Sequence, residues 1–224
     1  QVNNMIEPNR NGEVWVFAEQ ENESLNDVSL ELCSKARELA DQLGVRMGAV
    51  LAGSNVRELA YILIAHGADR VYYAHHAELE NYRTQPYAGV LCQLITRYQP
   101  QIVLYGATPL GRDLAPRIAS AMKAGLTADC TDLDIGEYVD KKNRTTHKNL
   151  LLQMRPAFGG NIIATIINYE RWPQMATVRE GVMRLGQPDS RRVGEIIDEK
   201  VNFNGFDLAV KLVDRHREER KVNL

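Results

Sequence analysis

Between residues 13 and 125, short apolar runs alternate with helical stretches four times over, and this rhythm narrows the fold more than any other feature of the chain. EVWVFAE (13–19), rich in β-branched and aromatic residues, has the composition of a central strand. The spacing predicts a helix from about Asp27 to Leu43, because Val28, Leu32, Ala36, Leu39 and Leu43 recur three or four apart and Gly44 stops the period. RMGAVLAG (46–53), DRVYYAH (69–75) and QIVLYGAT (101–108) continue as strands, with NVRELAYILIAHG (55–67), TQPYAGVLCQLITRYQ (84–99) and GRDLAPRIASAMKAG (111–125) as the helices after them. Such alternation implies right-handed βαβ crossovers and a mostly parallel sheet covered by helices on both faces. Ligands of these sheets sit beyond the carboxyl ends of the strands, where the strand order reverses.

After Gly125 the helical period stops. LLLQMRP (150–156), NIIATIINY (161–169) and QMATVREGVMR (174–184) read as successive strands, expected to add antiparallel or mixed strands to the sheet. From Gln187 the chain turns polar in GQPDSRRVGE (186–195), and DLAVKLVDRHREERKVNL (207–224) reads as one last strand running into a charged tail. The predicted organisation is an extension at 1–12, an α/β domain at 13–186, and a connector with a final strand at 187–224.

A chain of 224 residues can bury a substantial core. With 27 basic against 29 acidic residues, nucleic acid and anionic membranes are poor partners. Cys33, Cys92 and Cys130 are odd in number and show no CxxC spacing, which fits a reducing compartment and argues against a structural metal. No apolar run approaches a membrane span or a signal peptide core, so a cytoplasmic location is expected.

Three stretches could carry chemistry. In YGATPLGRDLAPRIA (105–119) a strand meets a helix through Gly106, Ala107 and Thr108, and such a turn exposes backbone N–H groups at a positive dipole end, suited to a nucleotide phosphate. It is neither a GxGxxG nor a Walker loop, and Gly106 and Gly111 serve a tight turn equally well, with Thr108 as a cap and Arg112 and Asp113 in salt links. GLTADCTDLDI (125–135) places Asp129, Asp132 and Asp134 close together, but without the glycine and distal glutamate of a calcium loop, and a self-bonded loop is the better reading. MRPAFGGN (154–161) sets Arg155 before Pro156, with Gly159 and Gly160 free to approach another group closely. A guanidinium on so rigid a turn can donate to an electron-rich heterocycle, or it can simply pair with an aspartate of 129–134; the residues alone leave both open. The histidines, His66, His75, His76, His147 and His216, form no catalytic order and read as surface or structural groups.

Taken in order, VWVFAEQ, ELADQLG, LIAHGADRVY, YGATPLGRDLAPRIASAMKAGLTADCTDLDI, RPAFGGNIIATI and PQMATVREGVM resemble the α subunit of electron transfer flavoproteins over roughly residues 13–185. The resemblance implies a Rossmann-like, adenine-nucleotide hydrolase-like domain that pairs with a similar β subunit, and a C-terminal FAD domain that swings toward dehydrogenase partners. The Arg-Pro turn and PQMATVR are similar to the electron-bifurcating branch. There the β subunit holds a second FAD in place of AMP, takes a hydride from NADH, and divides the electrons between ferredoxin and an acyl-CoA dehydrogenase-like or related flavoprotein. By the same resemblance Arg155, with Pro156 and Gly160, is expected to meet the partner subunit's FAD, and Thr127, Asp129 and Thr131 to line that interface. Gly106, Thr108, Gly111 and Arg112 occupy the nucleotide-type loop, where mainly structural or interface work is expected. Residues 205–224 resemble only the strand and linker before the FAD domain, so this chain by itself is expected neither to hold a complete FAD site nor to be catalytic. The alternatives are a single-electron shuttle whose β subunit holds AMP and a small-molecule enzyme using the 106–113 loop on a phosphate.

Overall fold

The structure is a computed structural model describing residues 9–21, 23–157, 162–205 and 207–214. In chain order its elements are β1 (Val14–Ala18), a short hairpin of β2 (Gln20–Glu21) and β3 (Ser24–Leu25), α1 (Asp27–Leu43), β4 (Met47–Gly53), α2 (Leu59–Ala65), β5 (Arg70–His75), α3 (Thr84–Tyr98), β6 (Ile102–Gly106) and α4 (Pro109–Met122). Then follow β7 (Leu126–Cys130), β8 (Asp132–Asp140), β9 (Thr145–Ala157), β10 (Ile162–Ile166), β11 (Gln174–Val178) and β12 (Glu195–Glu199).

Seven strands form one parallel sheet in the order β12-β5-β4-β1-β6-β11-β7. Successive side chains of β1 serve opposite faces, and every one is buried. Val14 and Val16 pack with Leu32 and Leu39 of α1 and Leu63 of α2, whereas Trp15 and Phe17 pack with Leu91 and Ile95 of α3 and Leu114 and Ile118 of α4. Burial on both sides explains why this strand is apolar throughout and does not alternate. Strand order reverses between β1 and β6, which puts a crevice beyond their carboxyl ends.

The second half departs from the sequence expectation in three ways. β9 and β10 do not join the main sheet; they pair with β8 in a separate three-stranded antiparallel sheet. β8 covers Asp132 and Asp134, which the sequence placed in a loop. These acids are the outward positions of an alternating strand whose inward positions are Leu133, fully buried, and Ile135. Of the three predicted strands only β11 enters the main sheet, parallel and inserted between β6 and β7. The final strand is β12, within the stretch read as connector, while residues 207–214 contain no strand. That later segment instead lies against α3, where a side chain on Gly89 would meet Asp207 Oδ1 at 2.9 Å and Arg83 donates to the Val210 carbonyl at 2.8 Å.

At the opposite, amino-terminal end of the sheet Asp69 ties three segments together. Its carboxylate accepts from the Met47 amide (2.9 Å), from Arg192 (2.6 Å) and from Arg37 of α1. Burial works to raise its pKa, but the Met47 amide and the two guanidiniums outweigh this, and the folded value lies below the ordinary one. A depressed acid stabilises the fold above its unfolded pKa of about 3.9 and loses that contribution as pH falls through the folded value. Asp69→Asn is expected to cost about 2 kcal/mol at pH 7 in urea unfolding, with the gap from the parent protein closing below about pH 4. A gap that persists unchanged at low pH would show that Asp69 acts through shape and not charge.

Candidate functional site

Thr108 caps α4, its Oγ1 accepting from the Gly111 amide at 3.0 Å. The same hydroxyl donates to Glu19 Oε2 at 2.7 Å, across the point where strand order reverses. Glu19 is only 6% exposed, and burial pushes its pKa up despite the bonds from Thr108 and Asn26. The crevice of about 780 Å3 beyond these groups is also lined by Glu21, Glu23 and Glu80, with Leu212 of the late segment at its wall. A phosphate there would face carboxylates, and the cap that would greet it is already engaged. Gly106 and Gly111 are required by packing: a Cβ on Gly111 would lie 1.9 Å from the Gly106 carbonyl oxygen, and one on Gly106 would lie 2.8 Å from Val28.

The other nominated residues gather at the carboxyl ends of β11 and β7 and on the neighbouring β9. Arg112, in the first turn of α4, turns away from the crevice and places Nη2 3.0 Å from Asp129 Oδ1. Asp129 has a left-handed backbone (φ 60°), and its amide donates to Thr177 Oγ1 at 3.0 Å. Thr131 donates its amide to the Met154 carbonyl at 2.8 Å, tying β7 to β9 beside Arg155. Arg155 is half-buried on β9, in register with Ala164, and Pro156 follows opposite Ile163. Its charge reaches Cys130, whose thiol burial pushes up to about 11 while Arg155 pulls it down. Thr127 is 4% exposed and pairs with Ala176 inside the sheet, so its side chain belongs to the interior. Gly159 and Gly160 lie outside the described residues.

The aspartates do not converge. Asp132 lies 3.6 Å from Lys35, Asp134 accepts from the Ile135 amide, and among the described residues no acidic, histidine or cysteine cluster could hold a metal ion. His147 stacks with Tyr138 on the small sheet and meets the tilted ring of Tyr169, and His66 is a partly buried helix-end residue whose pKa burial lowers. His216 lies outside the described residues. No helix among those described is long and apolar enough to cross a membrane.

Residues 14–204 match the electron transfer flavoprotein domain. The chain belongs to the electron transfer flavoprotein family. It is 47% identical over 210 residues to the electron transfer flavoprotein subunit alpha of Thermoanaerobacterium thermosaccharolyticum, covering 94% of this chain and 61% of that protein. The corresponding subunit of Clostridium acetobutylicum is 48% identical over 201 residues, covering 89% of this chain and 57% of that one. A more distant relative is the lactate dehydrogenase (NAD(+),ferredoxin) subunit LctC of Acetobacterium woodii, 35% identical over 211 residues, 94% of this chain and 48% of the relative. This electron transfer flavoprotein chain therefore spans about three fifths of its alpha-subunit relatives and about half of the last.

Within this family member, sequence reasoning missed two groups at the site. Glu19 reads as the polar end of a strand, and Thr177 as one more position of a buried one. Their partners, Thr108 and Asp129, are 89 and 48 residues away, so no local spacing could signal either contact.

Proposed function

We propose that this chain is the nucleotide-fold part of an electron transfer flavoprotein alpha subunit that presents Arg155 to a flavin held mainly by the β subunit. In the assembled complex electrons pass from NADH through FAD to ferredoxin and to an acyl-CoA dehydrogenase-like or related flavoprotein, in the bifurcating manner. FAD, when bound by the complex, supplies the redox chemistry. This chain contributes an oriented positive donor and a surface for the β subunit, and the proposal assigns a second FAD to the C-terminal part of an alpha subunit. Its own crevice between β1 and β6 does not fit a dinucleotide, because Glu19 and the other carboxylates that line it would repel a diphosphate. The Arg155 side does fit an electron-rich ring edge.

One observation carries this reading. Every aspartate that could neutralise Arg155 from the 129–134 segment is engaged elsewhere, Asp129 with Arg112, Asp132 with Lys35 and Asp134 with its own strand. Among the described residues Arg155 makes no ion pair. A half-buried arginine with no ion pair of its own keeps its charge available to a group that arrives from outside the chain. The name of the lactate dehydrogenase relative, which includes NAD(+) and ferredoxin, supports the bifurcating form of the proposal.

The test is the flavin and AMP content of the purified αβ complex. Two FAD and no AMP per heterodimer is the expected result. One FAD with one AMP would replace the bifurcating reading by that of a single-electron shuttle.

A further inference from the structure

Asp129 and Arg155 share one neighbourhood. The thiol of Cys130, the residue after Asp129, sits in the field of both charges, and the Thr131 amide is bonded to Met154, the residue before Arg155. A carboxylate in such a place is the natural counterion for a half-buried guanidinium. Two devices hold it back. Thr177 fixes the Asp129 amide in a left-handed backbone that non-glycine residues seldom adopt, and Arg112 reaches across from α4 to within 3.0 Å of Oδ1. That oxygen is shut off from solvent and has no aligned hydrogen bond among the described residues, so the Arg112 charge is its chief compensation.

We propose that Arg112 is a positioning residue for Arg155: by holding Asp129 on α4 it keeps the Arg155 guanidinium unneutralised and free to face the β-subunit flavin. The proposal rests on the role given to Arg155 above and adds a control to it. Without Arg112, the Asp129 carboxylate, whose Oδ1 is shut off from solvent, turns to Arg155, and Arg155 is silenced without being mutated. The same logic gives Gly111 and Thr108 a purpose, since the tight, capped start of α4 is what aims Arg112 at Asp129.

Redox titration of the β-subunit flavin in the full αβ complex tests this with Arg155→Ala, Arg112→Met, the double variant, and Arg112→Met combined with Asp129→Asn. Arg112→Met is expected to lower the potential in the same direction as Arg155→Ala, by half or more of that shift. It should add nothing once Arg155 is gone, and Asp129→Asn should restore it. A crystal structure of the Arg112→Met complex should show Asp129 turned onto Arg155. An Arg112→Met shift that survives unchanged in the Arg155→Ala background would reveal a plain long-range charge effect and overturn the inference. A shift for Arg155→Ala with none for Arg112→Met would overturn it while leaving the role of Arg155 intact. No shift for either variant would remove both.

Discussion

Replacing Arg155 by alanine is expected to lower the one-electron potential of the β-subunit flavin by about 65–130 mV. The figure follows from the worth of a charge-assisted hydrogen bond, about 1.5–3 kcal/mol, and from the ~59 mV that corresponds to a tenfold change in a one-electron equilibrium. The sign is fixed by charge: a cationic donor favours the reduced, anionic form of the ring, so its loss makes reduction harder. Arg155→Lys should recover only part of the difference, because an ammonium keeps the charge but not the planar fork. Spectroelectrochemical titration of the complex reads both variants, and unchanged potentials in Arg155→Ala would reduce Arg155 and Pro156, which lie in β9 and not in the turn the sequence suggested, to a structural feature. The backbone around Arg155 makes a purely structural loss easy to detect. β9 is paired on both sides, with β8 and with β10, so the alanine variant should retain its fold and its β subunit while the potential moves.

Where burial and periodicity act together, the sequence could be read directly. β1, β4, β5 and β6 are apolar along their length because both faces of the sheet are covered, and α1 ends at Gly44 because its φ of 68° favours glycine. Reading failed where a residue's chemistry imitated another element. Asp132 and Asp134 look like part of a self-bonded loop until Leu133 and Ile135 are seen to alternate with them in β8. β12 escaped notice because EIIDE lies at the sheet edge, where one neighbouring strand is enough and a polar composition is tolerated. At the site, the approach of Arg112 to Asp129 and of Thr108 to Glu19 was hidden for a different reason. Each contact joins two elements whose adjacency is decided by strand order, β6 next to β1 on one side and to β11 on the other, and no one-dimensional pattern encodes that. The resemblance of the 105–135 block could nominate residues without saying which of them touch.

Gly111→Ala is expected to be the most destabilising glycine-to-alanine change among the described residues, at about 3 kcal/mol. The added carbon would lie 1.9 Å from the Gly106 carbonyl oxygen, a backbone atom at the end of β6 that cannot rotate aside. Relief requires α4 to move away from the sheet, because Gly106 itself has little room, a carbon added to it lying 2.8 Å from Val28 of α1. In urea the midpoint should fall by about 1 M or more. Gly44→Ala is the comparison: its φ of 68° is unfavourable for alanine, as that of helical Gly111 is not, but nothing lies within 4 Å, so its cost should stay near 1 kcal/mol. Equal losses in the two variants would mean that the turn after β6 yields more readily than its contacts suggest. The larger loss has a functional consequence, because the helix that moves carries Arg112. A folded remnant of Gly111→Ala in the αβ complex should therefore show a lowered flavin potential even though residue 111 touches neither Asp129 nor Arg155, and adding Asp129→Asn should raise that potential again without restoring stability.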